Sequence, residues 1–377
     1  MNFSITSTDP NSSARTGTLN TYHSQIDTPV FMPIGTSGAV KTLLPKELYD
    51  VKTTIILGNT YHLFLRPGHD LIQRCGGLHK FMNWGKSILT DSGGFQVYSL
   101  AKLNKISDEG VKFQSHIDGS SHFLTPEISM EIQRSLGADI IMAFDVCPSG
   151  DATKETVISA VDQTTKWIKR CKNYLDDSQE LYDWNQTLFP IIQGGIYPEL
   201  RKNSVEEMVP YSTCGIGIGG LAVGEDKMAM FDNIAILDEL LPKDQPRYLM
   251  GVGRPTDLVV AVQNGVDMFD CVLPTRNGRN GQLFTSKGVI NIQNSRYLDD
   301  FSCVDEKCDC HLCNDYTKAY LRHLFNINEI LGLRLASLHN ITFYMKLMET
   351  IRGKINNGEF SKWSVNYLNK YSHDQRM

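Results

Sequence analysis

Short apolar runs recur along the chain, each ending in a polar or glycine-rich turn. They occupy residues 30–34, 54–57, 88–90, 139–144, 188–192, 213–218, 248–252 and 266–269. Most are continuous rather than alternating and rich in β-branched residues, the pattern of strands buried on both faces. Amphipathic stretches lie between several of them. Residues 128–136 follow Thr125-Pro126-Glu127, a capping threonine with proline at the first helical position. Residues 157–175 set Val157, Val161, Thr164, Trp167 and Ile168 at helical spacing, and 225–241 and 255–264 behave likewise. Alternating strand and helix units predict a parallel sheet. Eight such units predict an α/β chain folded as a (β/α)8 TIM barrel, with an open doubly wound sheet as the alternative.

Two segments break the rhythm. Residues 101–123 alternate polar and apolar positions around glycines, as an inserted hairpin would. Residues 293–340 carry a cysteine cluster after the eighth strand and before a polar helical tail. The whole chain, 1–377, therefore reads as a single catalytic barrel domain with a zinc-binding insertion at about 293–340 and a C-terminal helical tail.

Composition alters this picture in two ways. The net charge is −5, so any basic surface for a nucleic acid must be local. The nine cysteines are preceded by neither a basic n-region nor an apolar leader, and no apolar run approaches the roughly 18 residues of a membrane helix. A cytoplasmic, reduced protein with no membrane partner is expected, in which clustered cysteines signal metal rather than disulfides.

In a TIM barrel, catalytic groups sit at the carboxyl ends of the strands. Asp91, Asp145, Gln193, Gly219 with Gly220, and Asp270 each follow or end one of the apolar runs. A lone strand-end aspartate is often a helix cap; several converging on one rim make a pocket. Away from that rim, Cys308, Cys310 and Cys313 place three thiols within six residues, a spacing that wraps one tetrahedral Zn²⁺. Cys303, His311, His323 and His339 all remain candidates for the fourth ligand. A Cys3His site has no open position, so its role is structural.

The motifs Thr90-Asp91-Ser92-Gly93-Gly94-Phe95-Gln96, Gln193-Gly194-Gly195, Gly219-Gly220-Leu221-Ala222-Val223-Gly224-Glu225, Tyr248-Leu249-Met250-Gly251-Val252-Gly253 and Phe269-Asp270-Cys271-Val272-Leu273-Pro274-Thr275-Arg276 together resemble the queuine/archaeosine tRNA-ribosyltransferase family. The likeness runs from about Pro29 to His339. It implies a (β/α)8 barrel with a zinc subdomain, and it implies Cys308, Cys310, Cys313 and His339 as ligands of one zinc per subunit. The implied reaction exchanges a guanine of tRNA for a modified base.

Remaking a glycosidic bond on the same face requires two inversions through a covalent glycosyl-enzyme intermediate. The nucleophile is a carboxylate, and a second group protonates the leaving base. From the residues alone either Asp91 or Asp270 could attack; the resemblance makes Asp270 the nucleophile and Asp91 the acid–base group. Guanine's two adjacent donors suit an ionised Asp145. Its carbonyl oxygen wants donors, which Gln193 and the bare backbone at Gly219-Gly220 can supply. Ser92 and Leu221 belong to the same base-binding motifs. Phe95 stacks on the base in this reading, at a position where bacterial relatives usually carry tyrosine, and Met250 forms the opposite wall.

The resemblance further implies that Arg276 and Arg279 read the uridines beside the target guanine in a G-U-N anticodon. A weaker basic patch is expected at Arg352, Lys354, Lys362 and Lys370. Cys147 and Val223 resemble the bacterial type where the family's pocket meets the 7-substituent, which points to 7-aminomethyl-7-deazaguanine rather than queuine. With few residues after His339, the additional C-terminal RNA-binding domains of archaeal members are not expected. A homodimer is implied as well. Two other classes compete: a non-catalytic zinc-containing tRNA-binding accessory subunit, which has no need of two rim carboxylates, and a metal-dependent barrel hydrolase, which would need strand-end histidine ligands that this sequence lacks.

Overall fold

The computed structural model describes residues 1–100 and 104–373. An antiparallel sheet of β1 (Asn2–Thr8), β2 (Arg15–Asn20) and β3 (Gln25–Thr28) opens the chain; the apolar pattern gave no sign of it. Then come β4 (Val30–Met32), β5 (Ile55–Gly58) and β6 (Ser87–Thr90). The expected hairpin at 101–123 is a three-stranded antiparallel sheet, β7 (Asn104–Ile106), β8 (Val111–Gln114) and β9 (Ser121–Leu124), with 101–103 outside the described residues. Next are β10 (Ile140–Met142), β11 (Thr187–Phe189), β12 (Ile191–Ile192), β13 (Ile216–Ile218), β14 (Arg247–Leu249) and β15 (Met268–Asp270). A hairpin of β16 (Gln282–Thr285) and β17 (Gly288–Asn291) follows.

All eight apolar runs contain strands, most of them shorter than the runs themselves. β5, β6, β10 and β11 pair in parallel in that order, and β12, β13, β14, β15 and β4 form a second parallel sheet. Pro190 alone separates β11 from β12: it has no N–H for the ladder, yet its carbonyl accepts from Gly217 N at 2.8 Å. At the other junction Ile34 bridges to Leu57 in parallel; Leu57 N donates to Pro33 O (3.0 Å) and Gly35 N to Leu57 O (2.7 Å).

The strands read as continuous apolar runs because both faces are covered. Val30, Met32, Leu57, Leu89, Ile140 and Met268 share one buried cluster. Their neighbours Phe31, Ile56, Ile88, Ile141, Leu249 and Phe269 join a second one, packed with the helices. Helices Pro126–Leu136, Lys154–Asp177, Pro198–Met208, Lys227–Leu240 and Pro255–Gln263 alternate with the strands. Thr125, Thr153 and Asp226 cap the first, second and fourth of these.

The helix Ile330–Asn356 packs against β4, where the rings of Phe31 and Tyr344 lie 4.6 Å apart, and its Ile341, Tyr344, Leu347 and Ile351 enter the second cluster. The chain between β15 and that helix has an apolar cluster of its own, including Leu283, Ile292, Leu312 and Leu324. It begins at β16, earlier than the boundary near residue 293 read from the cysteines. Among the described residues no helix is long and apolar enough to cross a membrane.

The amino-terminal ends of the strands carry structural charges. Asp267, wholly buried, accepts from Arg15 Nε (3.0 Å), Arg15 Nη2 (2.7 Å) and the Arg247 N–H (2.8 Å). Removing one partner of such a pair strands the other charge without water. Asp267→Ala is expected to destabilise the fold by about 3–5 kcal/mol in urea denaturation; a loss under about 1 kcal/mol would show that the pair is dispensable.

Candidate active site and metal centre

At the carboxyl ends of the parallel strands, β5 is followed by Asn59, β6 by Asp91 and β12 by Gln193. β13 is followed by Gly219 and β14 by Met250, while β15 ends in Asp270 and Asp145 lies just beyond β10. These strands are parallel neighbours, so the groups gather at one rim.

Three carboxylates are buried there, with Asp91, Asp145 and Asp270 exposed by only 7%, 6% and 8%. Their hydrogen bonding differs. Both oxygens of Asp91 are held: Oδ1 accepts from Thr60 N (2.8 Å), and Oδ2 from Asn59 Nδ2 (2.5 Å) and Gln96 Nε2 (2.8 Å). Asp145 Oδ1 accepts from Ser92 Oγ (2.8 Å) and Oδ2 from Gln193 Nε2 (2.7 Å), leaving lone pairs on each. Asp270 uses one oxygen only: Oδ1 accepts from Tyr248 Oη (2.6 Å) and Gly251 N (2.8 Å). Among the described residues its Oδ2 receives no hydrogen bond.

Burial raises all three carboxyls. It lifts Asp91 to about 6, against the pull of Asn59, Thr60 and Gln96, with the nearby Asp270 charge adding to the rise. Asp145 also rises to about 6, against Ser92 and Gln193, and Asp270 rises against Tyr248 and Gly251. Clustered charges in a site shut off from water are the expected source of such shifts.

The base-binding candidates gather around Asp145. Cys147 is buried, and burial pushes its thiol up to about 12. A cleft at Asp145 and Cys147 is walled by Gly94, Val97, Tyr98 and Val146. Gly94 must be glycine, since a Cβ there would stand 2.5 Å from the Asp145 carbonyl. The Gln193 side chain, whose amide the sequence offered to the base, also donates to Asp145 and lies under the glycine pair. A Cβ on Gly220 would be 2.3 Å from its Oε1. Leu221 is buried and Val223 half-buried. Phe95 is 45% exposed on the Gly94–Leu100 helix, free to offer its ring to a base. Met250 packs against the inner apolar cluster.

Arg276 and Arg279 lie on a helix, Leu273–Arg279, rather than a loop; Arg276 is exposed and Arg279 half-buried with an unpartnered Nη1. The basic tail patch is smaller than the sequence suggested. Arg352 donates to the Pro29 carbonyl (2.8 Å) and Lys354 pairs with Glu359 (2.6 Å), while Lys362 and Lys370 are exposed.

Cys308, Cys310, Cys313 and His339 bring one ligand atom each to within 4.8 Å of one another. His339 Nδ1 lies 3.5 Å from Cys310 Sγ and 3.3 Å from Cys313 Sγ. Its Nε2 meets the Phe284 carbonyl at 2.8 Å, which fixes the proton on Nε2 and leaves Nδ1 to a metal. His339 therefore supplies the fourth position, from the middle of the Ile330–Asn356 helix. His311 faces Asp315 at the surface, and neither Cys303 nor His323 joins the group. A second group, His23, His79 and Asp139, already bonds within itself: His23 Nδ1 lies 2.9 Å from Asp139 Oδ1 and His79 Nε2 3.3 Å from Oδ2. Its two imidazoles stack face to face 3.7 Å apart, and Asp139 also accepts from the backbone N–H groups of His23 and Ile88.

A family model described as queuine tRNA-ribosyltransferase matches residues 9–373. The chain belongs to the queuine tRNA-ribosyltransferase family. Three curated relatives carry that name. One, from Caldanaerobacter subterraneus subsp. tengcongensis, is 52% identical over 98% of this chain and 97% of its own. Others, from Thermoanaerobacter sp. and Dictyoglomus turgidum, are each 51% identical over 97% and 100% of this chain and 96% of their own.

Several residues that organise this family member's site escaped the sequence reading. Asn59 and Thr60 directly follow β5, so the strand-end rule that found Asp91 could have found them. Tyr248 lies within β14 and gave no such signal. Glu225 accepts from the Ala222 N–H and the Val223 N–H (2.9 Å), bracing the loop in which Ala222 takes φ 60°. Arg201, wholly buried, donates to the carbonyls of Gly195 (2.9 Å), Ile192 (3.0 Å), Gly219 (2.7 Å) and Gly220 (3.1 Å).

The raised carboxyls carry a consequence for stability. Asp145 holds its proton more tightly when folded, so stability falls as pH rises from the unfolded value of 3.8 to the folded value of about 6. Above that window the full cost of the buried charge is present. Asp145→Asn is expected to match wild type in urea denaturation near pH 4 and to exceed it by about 1–3 kcal/mol at pH 7.5. A gap of equal size at both pH values would contradict this.

Proposed function

We propose that this chain is a tRNA-guanine transglycosylase of bacterial type. In this reading it replaces the wobble guanine of G-U-N anticodons, in tRNAs for Asp, Asn, His and Tyr, with 7-aminomethyl-7-deazaguanine, as a step of queuosine biosynthesis. The observation that carries the reading is the contrast between the carboxylates: Asp91 has both oxygens engaged, whereas Asp270 is anchored through Oδ1 and keeps Oδ2 for attack.

The target nucleotide leaves the anticodon stack and enters the rim pocket. Asp270 Oδ2 attacks the ribose C1′. The C1′–N9 bond breaks, its electron pair passes to the guanine, and Asp91 supplies the proton. The incoming base returns its proton to Asp91, its N9 attacks C1′ from the face the guanine left, and the Asp270–C1′ ester bond breaks. Two inversions retain configuration and regenerate both carboxyls. Asp145 accepts from the two donors of the base, the Gln193 amide and the Gly220 N–H serve its carbonyl oxygen beside Gly219, and Phe95 and Met250 flank the ring. Ser92 and Leu221 complete the pocket, and Cys147 and Val223 face the 7-substituent. Arg276 and Arg279 read the flanking uridines.

The same reading joins the two parallel sheets into one closed (β/α)8 barrel through the Pro190 and Ile34–Leu57 junctions, within a single domain. Cys308, Cys310, Cys313 and His339 hold one Zn²⁺, which fastens the segment between β15 and its helix and supplies no open coordination position. The enzyme works as a homodimer in the cytoplasm.

Two measurements test this. Labelled guanine is expected to enter tRNA bearing a G-U-N anticodon with wild type and not with Asp270→Ala; incorporation by both would remove Asp270 as nucleophile. Elemental analysis is expected to give one zinc per chain, lost in Cys313→Ser together with a fall in melting temperature. A chain that folds with equal stability after chelation would refute the structural role of the metal.

A further inference from the structure

The guanidinium of Arg201 has no carboxylate partner among the described residues, although it is wholly buried. A buried charge of this kind is costly unless every donor is used. Four of its five N–H donors are used, and all four reach backbone carbonyls of the two loops that surround the base-reading groups: Ile192 and Gly195 flanking Gln193, and Gly219 and Gly220 on the glycine pair. Burial lowers this guanidinium to about 10, which leaves it charged at neutral pH.

In a trans peptide, the C=O of one residue and the N–H of the next point in opposite directions. Fixing the Gly219 carbonyl on Arg201 Nη1 therefore turns the Gly220 N–H the other way. That N–H stands beside the Cys147 thiol, on the pocket side, and donates to no oxygen among the described residues. Fixing the Gly220 carbonyl on Nη2 turns the Leu221 N–H away from Arg201 in the same manner. Peptides between glycines rotate with little steric hindrance, and Gly220 already sits at φ 63°, so the sequence alone does not set their direction.

We propose that Arg201 is a positioning residue that gives the base pocket its preference for an oxygen over an amino group at purine C6, by holding the Gly219–Gly220–Leu221 peptides with their N–H groups towards the base. This rests on the transglycosylase reading of the pocket. Without the anchor, the Gly219 carbonyl can turn inward, where it accepts from a 6-amino group and repels a 6-oxygen. Discrimination falls because a site loses most when its polar groups face the wrong partner.

The test compares inhibition of tRNA labelling by guanine and by 2,6-diaminopurine, which differ at C6 in this respect, using zinc-loaded wild type, Arg201→Met and Arg201→Lys. Wild type is expected to favour guanine. Arg201→Met is expected to narrow the ratio of the two inhibition constants by about tenfold or more, mainly through weaker guanine binding, with kcat at saturating base much less affected. Arg201→Lys, which keeps the charge but reaches fewer carbonyls, is expected to restore part of the ratio, and it carries the comparison if the methionine variant does not fold. Equal weakening of both bases would reduce Arg201 to a scaffold residue and overturn the proposal. An unchanged ratio in both variants would overturn it too. A wild type inhibited by neither base would defeat the pocket reading itself, an outcome separate from any effect of the variants.

Discussion

A carboxylate removed from water must be given donors or surrender its charge. The rim of this protein buries three of them side by side, and much of the surrounding structure answers that demand. Donors arrive from strand ends that are neighbours only because the sheets are parallel: Asn59 and Thr60 beyond β5 for Asp91, Ser92 and Gln193 for Asp145, Tyr248 and Gly251 for Asp270. The supply is uneven. Asp91 receives three hydrogen bonds spread over both oxygens, whereas Asp270 receives two on one oxygen. In the proposed reaction that asymmetry suits Asp91 to carry the proton and Asp270 to attack, without any appeal to their positions in the chain.

The loops over these carboxylates are held from beneath. Arg201 gathers four carbonyls of the Gln193 and glycine-pair loops, and Glu225 takes two N–H groups of the next turn. On the far side, the Cys308–Cys310–Cys313–His339 group and the segment after Asp270 share a support. His339 and Asn340 are successive residues of one helix. His339 joins the cysteines, while Asn340 donates to the carbonyls of Pro274 and Gln282 and accepts from the Phe284 N–H. The short helix that follows Asp270 also presses Gly278 against the backbone of Ala336 and Ser337, where a Cβ would come within 2.9 Å. Loosening the metal site would thus disturb the helix that carries Arg276 and Arg279.

Much of this was legible in the sequence. Strands buried on both faces leave continuous apolar runs, and all eight were found; the residues after them marked the rim. Three thiols in six residues declared a metal site. What stayed hidden has physical reasons. β1 has no buried position, β2 is mostly buried but largely polar in sequence, and β3 is only four residues long; β11 and β12 look like one run because proline interrupts hydrogen bonding without interrupting hydrophobicity. The fourth metal ligand lay within a helix that crosses from the metal segment into the core, so spacing left four candidates and the family resemblance, not spacing, pointed to His339. Arg201 lies on the Pro198–Met208 helix, which the apolar pattern did not pick out, and is defined by what its guanidinium meets in three dimensions. Arg352 was read as part of a basic patch for the same reason in reverse.

The central claim is that Asp270 forms the bond to ribose while Asp91 carries the proton. The direct measurement is to quench the enzyme with G-U-N tRNA in denaturant, digest the protein and RNA, and map any ribose adduct by mass spectrometry. The account predicts an adduct on Asp270 that is absent from Asp270→Asn and persists in Asp91→Asn when the base is able to leave. An adduct on Asp91, or one that survives in Asp270→Asn, would contradict it.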